Sequence, residues 1–304
     1  MTVQMALWAL SYPVIKLVTA PDALDGFSLT VVRTVLAAAI LSPLWIVFAI
    51  RKQLPPRADL LRILGWGAWY FGGALVCFNA SVAIGRPELS GILFSGFPII
   101  LALLAAAVGL EAWHPEALPF VLVSLLGAVI VVTRGDLRAL GVVANDLPAT
   151  GLMLVSMLMV AAYAIGAKRL LATYQPLLFV TLSLTGGALA LLLISACIAD
   201  PVWSRLPHLD HPTRNALIYL ILMNTIATEW MSMYGLRRLS VVVIGVFNYL
   251  QPPLVVLFSL LLPGNHEGIG WPLAVGGALI LYGAGIVGRL KSTELTPQNP
   301  DCPC

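Results

Sequence analysis

The chain has 304 residues, of which 60% are hydrophobic and only 10% are charged, and its mean hydropathy is +0.94. A soluble domain of this composition could not keep its apolar surface out of water, so the sequence predicts an integral membrane protein with the lipid bilayer as its solvent. The net charge is +3 and the basic residues form no long run, which argues against nucleic acid as a partner. None of the four cysteines has metal-ligand spacing, and we expect neither a metal nor a cofactor.

Ten apolar segments follow one another along the chain. A helix needs about 20 apolar residues to cross a hydrocarbon core of ~30 Å. Segments of about this length are predicted at 3–20, 28–50, 61–84, 89–110, 115–133, 147–169, 176–199, 214–236, 240–262 and 269–288. The first could instead be a signal peptide, since Val18-Thr19-Ala20 resembles a cleavage site. A permanent helix is favoured, because no basic region precedes the segment and the second half contains a match to it.

The two halves of the chain carry the same landmarks at the same spacing. In each half a proline lies inside an apolar segment, the segment ends near a glutamate, and a glycine follows sixteen residues after that glutamate. The pairs are Pro98 and Pro252-Pro253, Glu111 and Glu267, and Gly127 and Gly283. Five spans per copy is an odd number, so the second copy must enter the membrane in the opposite direction. We therefore predict an all-α integral membrane fold of ten transmembrane helices, arranged as two inverted five-helix repeats around a central cavity.

The repeats are predicted at 1–138 and 139–291, followed by a disordered tail at 292–304. With the N-terminus in the cytoplasm, ten basic residues fall on the cytoplasmic side and six on the other. This bias favours both termini in the cytoplasm and location in a plasma membrane, a bacterial inner membrane being the expected case. Glycines of the last span, such as Gly276 and Gly283, give it a face for close helix contact, within a monomer or in a homodimer.

Several short motifs in this order resemble the drug/metabolite transporter superfamily, and within it the ten-helix EamA-type carriers to which the aromatic amino-acid exporters belong. The resemblance runs from Trp8 to Arg289. Its pieces are Leu7-Trp8-Ala9 with Lys16, Val32-Arg33-Thr34-Val35-Leu36, Phe78-Asn79-Ala80 leading to Ser90-Gly91, Phe97-Pro98 with Gly109-Leu110-Glu111, Tyr234-Gly235-Leu236-Arg237-Arg238-Leu239, and Asn248-Tyr249-Leu250-Gln251-Pro252. Two features depart from the family pattern: Gln251 stands where an acid often precedes the proline, and the segment 263–267 is longer than the usual Gly-Glu turn.

The resemblance implies a secondary transporter that works by alternating access, holds a small-molecule substrate between its repeats and commonly exports it. Members of the superfamily carry amino acids, nucleotide sugars, other small metabolites and cationic drugs. Two functions therefore stay open. Export of amino acids or related compounds fits the amides and hydroxyls of the predicted spans, whereas efflux of aromatic or cationic compounds in exchange for protons fits a carboxylate among deep aromatic residues.

Glu229 is the strongest candidate for binding or coupling, because it lies well inside the eighth predicted span. An ionised side chain at the centre of a span costs about 2.5 to 3.5 kcal/mol on insertion scales, so Glu229 should face protein or water. Thr225, Thr228 and Ser232 share its helical face by their spacing. We expect Glu229 to bind a proton or a substrate amine, the alternative being a protonated glutamate bonded to a neighbouring helix.

The prolines of both copies interrupt helices and free backbone carbonyls in a region where water is scarce. The predicted residues around these helix breaks are Ser95 and Pro98 in the first copy, and Asn248, Tyr249, Gln251, Pro252 and Pro253 in the second. The two amides lie about one turn apart and should point into one region, where they would bind a zwitterionic or hydroxylated ligand. A simple kink whose carbonyls are satisfied by water or a threonine is the competing interpretation.

Aromatic residues inside the spans are candidates for the walls of a substrate site, through stacking and cation–π contact. Trp8, Tyr163, Trp230 and Tyr249 lie deepest, whereas Trp66 and Trp69 stand near a predicted membrane surface and fit an interfacial belt. Asn79 is a further candidate, weighed against a hydrogen bond between helices.

Three basic residues lie near the ends of predicted spans. Arg33 either snorkels to the headgroups or, as the resemblance implies, has a role in gating or packing. Lys16 and Lys168 occupy related positions in the two copies and are expected to anchor helix ends.

An intramembrane enzyme or a channel is the main alternative from another class. Such an enzyme needs clustered carboxylates for a metal, a His-Glu-x-x-His helix, or a nucleophile with a base. The four histidines fall in predicted loops, no span contains paired aspartates, and Glu229 alone gives no selectivity ring. The sequence thus favours a transporter over an enzyme.

Overall fold

Every regular element among the described residues is a helix. The computed structural model describes residues 1–19, 24–85, 93–94, 96–109, 116, 118–133, 135–136, 147–198, 202–239, 241–248, 250–251, 254, 257–258 and 271–294. We number the main helices α1 (Thr2–Val18), α2 (Gly26–Ile50), α3 (Arg57–Ile84), α4 (Phe97–Ala107), α5 (Leu118–Thr133), α6 (Leu147–Leu171), α7 (Pro176–Cys197), α8 (His211–Arg238), α9 (Val241–Asn248) and α10 (Trp271–Glu294).

Five of these helices, namely α2, α3, α6, α7 and α8, are long and apolar enough to cross a membrane. They confirm the predicted spans at 28–50, 61–84, 147–169, 176–199 and 214–236. Shorter apolar stretches occupy α1 over Thr2–Val18, α5 over Leu118–Gly127 and α10 over Ala274–Gly283. The predicted spans at 89–110 and 240–262 lie partly outside the described residues, so the described part of the chain confirms five of the ten spans by length.

Aspartates at the N-termini of α2 and α8 help to fix where these helices begin. The Asp25 carboxylate accepts hydrogen bonds from the backbone N–H groups of Phe27 and Ser28, both at 2.9 Å, and Asp210 accepts one from Thr213 at 3.2 Å. Partial burial acts to raise the pKa of Asp25, but the hydrogen bonds from Ser28 and Phe27 and the charge of Arg205 outweigh burial and lower it.

Helices α3 and α8, the third of each predicted repeat, both contain a π-helical segment. These segments are Tyr70–Ala74 in α3 and Leu220–Ala227 in α8. In the second, the Thr225 hydroxyl donates to the carbonyl of Leu220 at 2.8 Å. A π-helical turn widens the helix locally and is found disproportionately at functional sites.

Helices α5 and α10 pack tightly and run antiparallel. A Cβ added at Gly127 would lie 2.6 Å from the carbonyl oxygen of Gly276, and one added at Gly283 would lie 2.4 Å from the carbonyl oxygen of Phe120. Backbones at this distance leave no room for a side chain, so glycine permits the contact. The two glycines that matched in the sequence therefore sit in one helix pair.

Helices α3 and α7 make a second close contact through glycines on both sides. A Cβ at Gly67 would lie 1.9 Å from the carbonyl oxygen of Ser183, and one at Gly186 would lie 2.1 Å from that of Leu64. Helix α7 also packs on α2. These contacts hold α3, which carries Tyr70 of the site described below, against α7.

Two further helix pairs run antiparallel. Along α1 and α8, Met1 packs on Gly235, while the Trp8 indole N–H donates to Thr228. Along α3 and α6, the hydroxyl of Ser81 donates to the carbonyl of Ala149, and Ser156 donates to Ala74, both at 2.8 Å. We call the end of the bundle that holds Met1 the N-terminal end, and the end that holds Asp25 the opposite end.

Two lysines hold helix C-termini at opposite ends of the bundle. Lys16 of α1 donates to the carbonyls of Ala83 and Gly85 at the end of α3, at 2.8 and 3.0 Å. Lys168 of α6 donates to the carbonyl of Leu236 at 2.9 Å and to that of Leu239, at the end of α8. Cations at helix C-termini satisfy free carbonyls and interact favourably with the negative end of the helix dipole. The expected anchoring role of both lysines agrees with these contacts.

Candidate functional site

Two adjoining cavities lie inside the bundle and share four residues. The first is lined by Trp8, Ser11, Tyr12, Arg33, Tyr70, Ala74, Leu75, Phe78, Phe94, Ser156, Val160, Asn224, Glu229 and Gln251. The second is lined by Gln4, Met5, Trp8, Tyr70, Phe97, Leu101, Val160, Tyr163, Ala164, Glu229, Ser232, Met233, Leu236, Ile244 and Asn248. The shared residues are Trp8, Tyr70, Val160 and Glu229.

The two cavities face different ends of the bundle. In α1, Gln4 lines the second cavity while Ser11 lines the first. In α6, which runs the other way, Ser156 lines the first cavity and Tyr163 the second. The second cavity is therefore nearer the N-terminal end and the first nearer the opposite end, with the four shared residues between them.

Glu229 is buried between the cavities with only 4% of its surface exposed. It accepts a hydrogen bond from the Tyr70 hydroxyl at 2.6 Å. The Tyr70 ring stacks on Tyr163, with centroids 4.2 Å apart and planes 6° from parallel. Glu229 is the only carboxyl group among the described lining residues of either cavity. Its burial agrees with the prediction that it faces protein or water.

Trp8 joins α1 to α8 next to Glu229. Its indole N–H donates to the Thr228 hydroxyl at 3.0 Å, and that hydroxyl donates to the backbone carbonyl of Asn224. The Trp8 ring also meets Phe94 edge to face, with centroids 6.4 Å apart. Trp8 thus lies where the two cavities meet, as expected for a wall of the site.

Arg33 is 3% exposed and lines the first cavity. Its Nε donates to the Thr225 hydroxyl at 3.0 Å, and its Nη2 donates to the Asn224 side-chain oxygen at 2.6 Å. Both acceptors belong to the π-helical segment of α8. Snorkelling to the headgroups does not describe this placement, because the side chain points into the bundle rather than along it to the surface.

The two predicted amides come together. Gln251 Nε2 donates to the side-chain oxygen of Asn248 at 2.7 Å, and Asn248 Nδ2 donates to the carbonyl of Ile244 at 3.0 Å. The Tyr12 hydroxyl donates to Gln251 Oε1 at 3.5 Å. Gln251 lines the first cavity and Asn248 the second, so the pair connects both.

Four of the predicted residues, Ser95, Tyr249, Pro252 and Pro253, lie outside the described residues. The remaining predicted helix break is at Pro98, which sits in the first turn of α4, two residues after the N-cap Gly96. A proline costs no helical hydrogen bond at this position, because the N–H groups of the first turn have no partner within the helix. Gly245 of α9 packs against Pro98, where an added Cβ would lie 3.3 Å from the proline Cα.

Two predicted residues lie away from both cavities. Trp230 is 43% exposed and contacts Tyr234 on the outer surface of the bundle. It follows Glu229 directly, and one residue along a helix turns a side chain by about 100°. Asn79 is fully buried and donates to the Thr30 hydroxyl at 2.8 Å. This is a hydrogen bond between helices, the alternative against which its role in the site was weighed.

The structure gives a role to Tyr70, one of the aromatic residues of the predicted spans, because its hydroxyl holds Glu229. It also adds two residues that the sequence did not single out for the site, and the first, Asn224, holds Arg33. Gln4 lines the second cavity with its side-chain oxygen buried and, among the described residues, without a hydrogen-bond partner. A polar residue inside an apolar helix was the available signal for Asn224 and Gln4, but only packing shows which of them reach a cavity.

The arrangement combines one buried acidic side chain, one buried basic side chain, four amide side chains and several aromatic rings around two cavities. Such a lining can hold a polar ligand without a metal or a reacting nucleophile. Glu229 lies between the two cavities, so a ligand bound to it could be approached from either cavity.

The comparisons with known proteins agree with this architecture. No curated protein matches the chain. A solved crystal structure of a protein at 18% sequence identity has a TM-score of 0.73 and covers 97% of this chain and 98% of that one, a likeness that shows the fold. The sequence profile of the EamA-like transporter family matches residues 1–133 and 147–289. The two matched segments make up most of the 304 residues, so this chain belongs to the EamA-like transporter family, a family of membrane transporters of small molecules.

Proposed function

We propose that the protein is a secondary active transporter that works by alternating access between two inverted five-helix repeats, residues 1–138 and 139–291. The helix contacts support this arrangement because they come in matching sets. In the two repeats, α1 to α5 correspond in order to α6 to α10. The contact of α3 with α7 then corresponds to that of α8 with α2, and the contact of α3 with α6 corresponds to that of α8 with α1. Helices α4 and α9, and likewise α5 and α10, pack on each other, as partners related by a two-fold axis would.

The two lysine contacts support the same symmetry. Lys16 in the first helix of one repeat holds the end of α3, and Lys168 in the first helix of the other holds the end of α8. The ends held in this way lie at opposite ends of the bundle. An inverted repeat requires this outcome, because the same local contact is then built once on each side of the membrane.

The position of Glu229 between the two cavities is the observation that carries the proposal. A transporter must expose one site to each side of the membrane in turn, and a side chain shared by both cavities can be reached from either. Small movements of Trp8 and Tyr70, which flank Glu229, would open one cavity while closing the other. We propose Glu229 as the group that binds a substrate amine or a coupling proton.

Amino acids or related metabolites are the proposed substrates, and export is the proposed direction. Glu229, the Asn248–Gln251 pair and Tyr163 offer the carboxylate, amide and hydroxyl groups that recognise amines and hydroxylated compounds. We place the protein in a bacterial inner membrane with both termini in the cytoplasm, so the second cavity would face the cytoplasm.

Efflux of aromatic or cationic compounds in exchange for protons is a second candidate function. The aromatic lining of the first cavity favours it: Tyr12 and Phe94 both meet Phe78 edge to face, with centroids 5.4 and 5.9 Å apart. Aromatic faces next to a carboxylate attract organic cations. Both candidates use Glu229, which lines both cavities, and they differ in the groups that the ligand carries besides its positive charge.

Counterflow in proteoliposomes tests the proposed function. Vesicles are loaded in turn with amino acids, nucleotide derivatives or quaternary amines, and uptake of the labelled compound is measured at two pH values against protein-free vesicles. We expect accumulation for amino acids. Accumulation of quaternary amines alone would favour the second candidate function, and no accumulation of any compound would contradict the transporter proposal.

A further inference from the structure

Arg33 is a buried cation that is in direct contact with no acidic group among the described residues. Its side chain is 3% exposed, and among the described residues no carboxylate lies within ion-pair distance of its guanidinium. The two groups that it contacts, the Asn224 side-chain oxygen and the Thr225 hydroxyl, are neutral. A buried charge is normally paired, because an unpaired charge in a medium of low polarity is costly. The cavity beside Arg33 is the place from which a counter-ion can come.

Asn224 supplies a second, independent sign of a missing ligand. Its side chain is 4% exposed and lines the first cavity, while its oxygen is occupied by Arg33. Its Nδ2 is buried and has no hydrogen-bond partner among the described residues. A buried donor that stays unpaired costs the desolvation of that group, so such a donor at a cavity wall indicates that a ligand or water completes it.

Together, Arg33 and Asn224 present several N–H donors and no free acceptor to the same cavity. Arginine has five N–H groups, of which the described hydrogen bonds use only two. The contacts with Asn224 and Thr225 hold the guanidinium in place, and a fixed guanidinium fits the two oxygens of a carboxylate. We propose that Arg33 and Asn224 form a carboxylate-binding subsite, so that the transported molecule carries a carboxylate as well as an amine.

This subsite rests on the proposed function and makes its substrate class narrower. Glu229 lines the same cavity and its charge acts on Arg33, but it is bonded to Tyr70 and lies beyond ion-pair distance of the guanidinium. A zwitterion places an ammonium near Glu229 and a carboxylate near Arg33, so both buried charges are neutralised at once. Tyr12, Phe78 and Phe94 then form the wall for the rest of the molecule. A ligand that carries only a positive charge would leave Arg33 unpaired.

Binding of matched ligand pairs tests the subsite. Purified protein in lipid nanodiscs is titrated calorimetrically with L-phenylalanine and phenethylamine, and with L-leucine and 3-methylbutylamine, each amine lacking only the carboxylate of its partner. We expect at least one amino acid to bind about 10- to 100-fold more tightly than its amine, the ratio that hydrogen bonds to a charged group support.

Asn224→Asp is the decisive variant, because it keeps an acceptor for Arg33 and replaces the donor by a negative charge. We expect it to weaken amino-acid binding at least about tenfold and to leave amine binding unchanged or stronger. The variant should also fold, since the new carboxylate pairs with Arg33, and size-exclusion chromatography checks this. Arg62→Gln, an exposed arginine on the outside of the bundle, is the control and should change neither ligand.

Three results would overturn the subsite. If both amines bind the unmodified protein as tightly as their amino acids, no carboxylate is needed. An Asn224→Asp protein that binds amino acid and amine normally, or loses both equally, also contradicts the subsite. No binding of either amino acid also contradicts it. If counterflow still occurs with compounds lacking a carboxylate, only the subsite fails, whereas absence of counterflow with every compound removes the proposed function as well.

Discussion

Glu229→Gln is expected to lower substrate counterflow at least about tenfold, the effect of losing roughly 1.4 kcal/mol of charge interaction, and to remove the pH dependence of what remains. Glutamine has nearly the same shape as glutamate and can still accept the hydrogen bond from Tyr70. It can neither pair with an ammonium group nor take up a proton. The loss would therefore report on charge rather than on packing.

Proteoliposome counterflow at several pH values measures this effect, with each protein reconstituted in equal amount. Glu116→Gln is the matched control, because Glu116 is exposed and far from both cavities along the chain. A Glu229→Gln protein that transports at the normal rate, with the pH profile of the unmodified protein, would show that Glu229 is only a structural hydrogen-bond partner of Tyr70.

The second large effect is expected from Gly67→Ala, which should destabilise the protein severely. Its new methyl group would lie 1.9 Å from the Ser183 carbonyl oxygen, a backbone atom that cannot move without displacing α7. Overpacking of a well-packed interior usually costs about 1 to 3 kcal/mol, and a backbone clash belongs to the upper part of that range. Separation of α3 from α7 would also disturb Tyr70, which lies one turn further along α3.

Gly65→Ala is the matched control on the same helix. Nothing lies within 4 Å of a Cβ at Gly65, so this change should be neutral or stabilise the helix by up to about 1 kcal/mol. Thermal unfolding in detergent, followed by loss of the monodisperse peak in size-exclusion chromatography, compares the two. Equal midpoints for Gly67→Ala and Gly65→Ala would mean that α3 and α7 are not in backbone contact.

Strong local patterns in the sequence predicted the helices well. The uninterrupted apolar runs at 147–169 and 176–199 correspond to α6 and α7 within two residues at each end. Glu229 was predictable because a carboxyl group deep in an apolar span has few places to go, and the Asn248–Gln251 pair because the two lie one turn apart. Each of these predictions used only residues that are close together in the sequence.

Features that depend on two helices were not predictable in the same way. Asn224 and Arg33 are 191 residues apart, and nothing local in either helix shows that they meet. Trp66 was assigned to an interfacial belt, yet its ring lies against Gly166, where a Cβ would be 2.2 Å from the indole. The π-helical segment of α8 rotates the residues after it, so a regular helical wheel could not fix which side of α8 each residue occupies.

Orientation of the two repeats is the central claim, and cysteine labelling tests it most directly. Lys52→Cys, Thr173→Cys and His208→Cys are introduced singly after the native cysteines have been replaced, and inverted vesicles and intact cells are treated with a membrane-impermeant maleimide. All three sites are exposed, and Tyr174 beside Thr173 donates to Asp59 at the start of α3, at 2.7 Å. We predict that positions 52 and 173 are labelled from the cytoplasmic side and position 208 from the other. Labelling of 52 and 173 from opposite sides would contradict the inverted repeats and the alternating-access account that depends on them.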